Sequence, residues 1–226
     1  MISLCLPTKG RPAIFKKMYE SALSTANNPQ NIEFILYRDQ DDKSLYEYPP
    51  DTTVITAPTN LRTKMWASQM ANECWKLARG PIYMFLPDDI LFETKDWDKY
   101  VEAEFEKYPD KIVLVCPDND DWEKWHYGIV GFLHKNWTDL LGHFHPNIDG
   151  SQGADKWHNR LALRVNRRVR LKEMRIKNTN IRDQIHKEKN ARGWQEQWTK
   201  KYYLPEVTAE RLREARVLRK FIENFK

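Results

Sequence analysis

Short apolar runs alternate with helically spaced apolar positions through the first half of the chain. Residues 2–6, 32–37, 54–55, 82–86 and 112–116 read as strands. The run 82–86, bounded by Gly80-Pro81 and Pro87, has the unbroken apolarity of a strand buried on both faces. Between these runs, Ile14, Met18, Ala22 and Leu23 recur at helical spacing up to the breaker Asn27-Asn28-Pro29. Residues 61–78 carry Met65, Met70, Cys74 and Leu77 on one side and stop at Gly80 in the manner of a C-cap. Residues 97–108 form a further helix, and 128–133 read as a strand. Strand and helix in turn predict an α/β fold, a mostly parallel sheet flanked by helices.

Three of these strands end in carboxylates. Asp39, Asp41 and Asp42 follow the second, Asp88 and Asp89 the fourth, and Asp118, Asp120 and Asp121 the fifth. Ligands of open α/β sheets gather outside the carboxyl ends of the strands. Paired acids there suit a hard divalent cation, which prefers oxygen ligands and bridges to phosphates. Each set alone also reads as an acidic turn, since Pro-Asp is ordinary turn chemistry.

Composition narrows the setting. The chain has 226 residues, 41% hydrophobic and 12% aromatic, enough for one large folded domain or a domain with an appendage. Cys5, Cys74 and Cys116 are far apart and lie in apolar surroundings, which suits buried free thiols better than disulfides or a zinc site. No apolar run is long enough to span a membrane, and the first strand starts at Ile2 without room for a signal peptide. The expected location is the cytoplasm.

The net charge of +5 conceals an uneven distribution. Residues 1–155 hold 16 Lys and Arg against 24 Asp and Glu; residues 156–226 hold 21 against 8. A basic half of this size calls for an anionic partner such as nucleic acid, a membrane surface or a phosphorylated substrate. A solvated helical face is the plain alternative, and it suits the last helix, where Glu210, Glu214 and Glu223 lie among the arginines. Between residues 160 and 177, basic positions alternate with Leu161, Leu163, Val165, Val169 and Leu171, so strands or an amphipathic segment with a cationic face are expected.

Taken in order, several motifs resemble the nucleotide-sugar-binding domain of GT-A glycosyltransferases, particularly those like glycosyltransferase family 2. They are Pro7-Thr8-Lys9-Gly10-Arg11-Pro12 after the first strand, Tyr37-Arg38-Asp39-Gln40-Asp41-Asp42 after the second, and the helix with Asn72 before Ala78-Arg79-Gly80. Phe85-Leu86-Pro87-Asp88-Asp89 and Gly153-Ala154-Asp155-Lys156-Trp157-His158-Asn159-Arg160-Leu161 complete the set. The resemblance spans residues 2–165. It implies a GT-A, Rossmann-like catalytic domain over 1–165, followed by a basic, largely helical C-terminal extension over 166–226 on or near the acceptor side.

The resemblance also implies roles. Pro7, Thr8, Arg11, Asp39 and Asp88 are expected to bind the donor nucleotide; a guanidinium such as Arg11 also grips phosphate in a bidentate fork on general grounds. Asp89 is the expected ligand of Mn2+ or Mg2+, with His186 as a second. Asp155 corresponds to the general base of inverting members, which takes the acceptor's proton as the nucleoside diphosphate leaves. An acid ahead of a helix also suits the macrodipole, so a purely structural Asp155 stays open. Two departures stand out: Pro87 replaces the first acid of the metal motif, and Ala154 the first acid of the base motif.

The acceptor is the least defined part. Trp157, Arg160, Arg164, Arg167 and Arg168 are the expected acceptor or nucleic-acid contacts, because phosphate backbones need this charge density. The later Trp194, Trp198, Tyr202 and Tyr203 add stacking potential. A hydroxylated base in DNA fits, as does a glycan or a lipid headgroup. The aromatic residues between 122 and 146 suit either an acceptor pocket or a hydrophobic flap. Two other classes compete: a catalytically degenerate GT-A-like module that binds nucleic acid, and a nucleotidyltransferase. The single glycine of the first turn argues against the second.

Overall fold

The computed structural model describes residues 1–57, 66–120, 122, 126, 128–146, 154–179 and 204–225, without the side chains of 66, 67, 154 and 155. Eight strands form one sheet in the order β3-β2-β1-β4-β7-β6-β8-β5. They are β1 (Ile2–Thr8), β2 (Ile32–Asp39), β3 (Thr52–Ala57), β4 (Ile82–Phe85), β5 (Ile90–Phe92), β6 (Leu114–Asp118), β7 (Phe132–His134) and β8 (Arg168–Asn178). Among the described residues six α-helices flank them: α1 (Pro12–Thr25), α2 (Trp66–Leu77), α3 (Trp97–Glu106), α4 (Lys135–Leu141), α5 (Ala154–Arg164) and α6 (Pro205–Asn224). Strands β1 to β4 pair in parallel. Strand β7 is an antiparallel insert between β4 and β6, β8 runs parallel to β6, and β5 closes the edge antiparallel to β8.

The central strands are buried on both faces because their side chains alternate between two apolar layers. In β1, Ile2, Leu4 and Leu6 face α1, while Cys5 faces the layer under α2 with Ile35, Tyr37, Met70 and Cys74. In the β6 region, Val113 and Val115 join the first layer, and Ile112, Leu114 and Cys116 meet Trp137, Trp157 and Leu161 on the other. The three cysteines are free and buried. Helix α1 begins with Pro12, whose fixed φ and missing N–H suit a first turn. It buries Phe15, Met18, Tyr19 and Ala22, the spacing of one helical face.

Local differences from the expected elements have physical causes. Helix α2 ends at Leu77, and Gly80 is no C-cap. A Cβ at Gly80 would lie 2.6 Å from the Met1 carbonyl oxygen and 2.7 Å from Ser3 Oγ. The glycine allows the chain to enter β4 against β1, where the Gly80 amide donates to Glu33 and Ser3. The strand expected over 128–133 is confined to Phe132–His134. Gly128 instead lies flat on Cys116, its amide and carbonyl both held by the Asn159 side chain.

The largest difference concerns the basic half. The boundary at 165 that the resemblance implies does not interrupt the sheet: Arg168–Asn178 is strand β8, lodged between β6 and β5. Helix α6 packs on α4 and α5. No helix among the described residues is long and apolar enough to cross a membrane.

Candidate active site

Strands β2 and β3 lie on one side of β1 and β4 on the other, so the chain reverses its direction of winding between β1 and β4. Ligands of open α/β sheets bind in the crevice at such a point. Thr8, Arg11 and Asp88 meet there. Thr8 Oγ1 donates to Asp88 Oδ2 at 2.9 Å, and Arg11 Nη1 donates to Asp88 Oδ1 at 3.0 Å. Asp88 is only 3% exposed. Burial raises its pKa; Arg11 and Thr8 oppose that, and the charge of Asp89 adds to it.

Beside this group, Asp39 ends β2 and accepts a hydrogen bond from Lys9 Nζ at 3.0 Å. The same ammonium bridges to Asp41 at 2.7 Å. Asp42 ties the loop together, accepting from the Ser44 and Gly10 amides and from the Tyr46 hydroxyl. Burial alone would raise its pKa, yet these donors outweigh it and bring the value down to about 2. Tyr46 also accepts from the Arg11 amide, and the Arg38 guanidinium lies 4.3 Å from the centre of its ring. Lys9 and Tyr46 were not among the expected site residues. Lys9 stands inside the turn motif itself, whereas nothing in the irregular stretch around Tyr46 signals its place.

Asp89 differs from its neighbour. It is 6% exposed, and its carboxylate has no hydrogen-bonding partner among the described residues. Its carbonyl oxygen, by contrast, accepts from both the amide and the hydroxyl of Thr179. Among the described residues no three His, Cys, Asp or Glu side chains cluster as a ready-made metal cage. A carboxylate without a partner among the described residues, at the carboxyl edge of the sheet, nevertheless fits Mn2+ or Mg2+, since such ions keep waters and take phosphate oxygens beside one or two carboxylates. His186 lies outside the described residues.

Helix α5 runs across the sheet from one edge to the other. Near its start, His158 Nε2 donates to the Phe144 carbonyl, and the Phe144 ring packs on Phe85, the last residue of β4. At its end, the Arg167 amide bonds the Ala162 carbonyl, and the Arg167 carbonyl receives the amide of Leu114, the first residue of β6. The first turn of α5, which includes the backbone of Asp155, therefore lies toward the carboxyl edge. The Asp155 side chain is outside the described part.

The expected acceptor contacts do not gather around it. Trp157 is 1% exposed and donates its indole N–H to Glu214 at 2.9 Å, a core residue between α5 and α6. Arg164 closes α5, and Arg167 and Arg168 stand at the amino end of β8, the opposite edge from Asp88. Arg167 is paired with Asp110, and Arg168 reaches Asn159 and the face of Trp122. Arg160 is half-buried along α5. The described aromatic residues between 122 and 146 also belong to the core, which favours the flap: Trp122, Phe132, Trp137 and Phe144 are all buried. The third acidic strand end is spent on charge pairing, with Asp118 bound to Arg170 and Asp120 to Arg175.

No protein-family model matches the sequence, and no curated protein matches it. Solved structures do. TarS residues 1–349 of S. aureus in complex with UDP-GlcNAc is 12% identical, with a TM-score of 0.61 over 82% of this chain and 60% of that one. A longer TarS structure gives a TM-score of 0.56 at 11% identity, over 79% of this chain and 36% of that one. The mannosyltransferase PcManGT from Pyrobaculum calidifontis, in complex with GDP-Man and Mn2+, gives 0.58 at 13% identity over 99% and 73%. The chain thus spans about 60% of the length of the shorter TarS structure. Identities this low speak for architecture, and the architecture is that of these enzymes: the chain has the GT-A fold.

Proposed function

We propose that the protein transfers a sugar from a nucleotide-diphosphate donor to an acceptor hydroxyl, with inversion. The observation that carries the reading is the meeting of Thr8, Arg11 and Asp88 at the β1–β4 switch point, with the carboxylate of Asp89, unpartnered among the described residues, next to it. Pro7 and Thr8 line the nucleotide site, and Asp39 with Lys9 offers an acceptor and a donor to a base edge. Asp88 acts through Arg11, holding the guanidinium where a diphosphate would sit. Asp89 would hold a divalent cation, with His186 as a second ligand. That ion supplies charge stabilisation for the departing diphosphate.

Asp155, in the first turn of α5, is the proposed base. The acceptor oxygen attacks the anomeric carbon, the bond from that carbon to the diphosphate oxygen breaks, and Asp155 takes the hydroxyl proton. The leaving diphosphate keeps the bonding electron pair. Support comes from the fold shared with structures that hold UDP-GlcNAc or GDP-Man.

For the acceptor, a hydroxylated base in DNA rests on the charge of the C-terminal half alone, because Arg167, Arg170 and Arg175 are matched to acids. A glycan or lipid hydroxyl is equally served by the site. Salt-sensitive binding of random duplex DNA supports the DNA acceptor, and no binding at low salt removes it.

A thermal-shift screen of UDP- and GDP-sugars with and without Mn2+ tests the central reading. A donor at 100 times its Kd stabilises the fold by about 2.7 kcal/mol. No shift with any nucleotide overturns the proposal. Donor turnover that survives Asp155→Ala unchanged would remove Asp155 from the chemistry.

A further inference from the structure

The Asp88-Asp89 turn is held from the far side of the sheet sequence. Thr179, the residue after β8, donates both its backbone N–H and its Oγ1 hydroxyl to the Asp89 carbonyl oxygen, each at 3.0 Å. A carbonyl oxygen has two lone pairs, and this one residue occupies both. The contact extends a ladder: Ile90 faces Asn178, Leu91 faces Lys177 and Phe92 faces Ile176. Two further bonds lock the register, from the Glu93 amide to the Arg175 carbonyl and from the Arg175 amide to Thr94 Oγ1. On its other side the turn is fixed through Leu86, whose amide bonds the Cys5 carbonyl of β1. The Asp89 backbone is therefore held directly by Thr179 on one side and through Leu86 on the other.

We infer that Thr179 is a positioning residue for a divalent cation at Asp89. The inference rests on the proposed function, in which Asp89 holds that ion. A cation such as Mn2+ or Mg2+ demands near-ideal geometry. With few protein ligands available, the direction of a single carboxylate weighs heavily on affinity. Loss of a group that orients a ligand costs 10–100-fold in metal affinity in comparable sites. Thr179 touches neither the ion nor the substrate; it acts by fixing the carbonyl, and with it the backbone that aims the carboxylate.

The test compares full-length wild type, Thr179→Val and Thr179→Ser. Mn2+ affinity is read by electron paramagnetic resonance in the presence of UDP or GDP, and nucleotide affinity in EDTA is read by calorimetry. Valine keeps the shape and removes the hydroxyl; serine keeps the hydroxyl. The expected result is Mn2+ binding about tenfold weaker in Thr179→Val, restored to within about twofold in Thr179→Ser, with metal-free nucleotide binding the same in all three. Equal Mn2+ affinity in wild type and Thr179→Val overturns the inference and leaves the glycosyltransferase reading standing. Wild type that binds nucleotide but shows no saturable Mn2+ binding overturns the metal at Asp89 and this inference with it. If Thr179→Val does not fold by circular dichroism, Thr179→Ala takes its place under the same criteria.

Discussion

Two strands of the same sheet, β4 and β6, run parallel and each ends in a cluster of acids, yet the clusters meet opposite fates. After β6, Asp118 and Asp120 are bound by Arg170 and Arg175 of the adjacent β8, and Asp120 is 69% exposed. After β4, Asp88 is buried beside Asp89, shares its oxygens between Thr8 and Arg11, and leaves Asp89 with a carboxylate open to a ligand. The difference arises from the neighbouring strand. Strand β8 brings arginines to one end, whereas β1 brings a tight turn with one guanidinium to the other. An acid becomes a site when its surroundings bury it without neutralising it completely.

The sharpest break in this comparison is expected from alanine at the two ends. Asp89→Ala should lower donor turnover about 1,000-fold, as loss of the group that stabilises the departing charge does elsewhere. Asp120→Ala should leave it unchanged. Steady-state assays with the donor identified in the screen decide between them, and equal losses would erase the distinction.

The next effect concerns stability. Arg11→Met leaves Asp88 buried without its cation, and breaking a buried pair in this way costs about 4 kcal/mol. Chemical denaturation measures it, and adding Asp88→Asn should recover part of the loss. Arg175→Met, at the exposed end, should leave the denaturation midpoint where it is.

Acid should then act through the buried histidines around α5. His158 is a buried residue of α5, and burial brings its pKa down to about 4; His145, burial again the main cause, is pushed well below its ordinary value. Unfolding lets both rings take protons near pH 6.5, while the folded protein refuses them until a lower pH. Stability is therefore fully present above pH 6.5 and falls as the pH drops toward 4, by about 3 kcal/mol for His158 alone. Melting curves between pH 7 and 4 measure the slope, and His158→Asn should flatten it.

The smallest expected effect is at the surface. Asp120→Asn should leave both the melting temperature and the donor affinity unchanged, because exposed ion pairs contribute little. A measurable loss in either would show that the β6 end takes part in binding.

Most of the sheet was legible because buried parallel strands write their apolarity without interruption, as 2–6, 32–37 and 82–86 do. Their order, and so the switch point, was not read from the sequence; the motifs around Thr8, Asp39 and Asp88 marked only the strand ends where ligands gather. Strand β5 was not legible, since three residues after a turn carry no period. Strand β8 was legible only as one alternative: its alternation suited a strand, but its charge read as a surface for an anionic partner, whereas Arg170 and Arg175 find acids at Asp118 and Asp120. Trp157 was misplaced for a related reason. A sequence shows that an indole is amphipathic, but not that Glu214, 57 positions away, will satisfy its N–H inside the core.

The placement of β8 has a consequence for how the molecule is made. Strand β5 has one partner in the sheet, and that partner is separated from it by more than 70 residues of intervening chain. Contacts of such sequence separation form late, after the loop-closure entropy of the chain between them has been met. On the ribosome, β1, β2 and β4 emerge and can pair long before residues 176–179 leave the exit tunnel. The part of the candidate site built by Thr8, Arg11 and Asp88 is thus available early, while the turn with Asp89 waits for β8. If the proposed function holds, a nascent chain halted before Thr179 is expected to recognise a nucleotide before it recognises a metal, and in that order the site is completed.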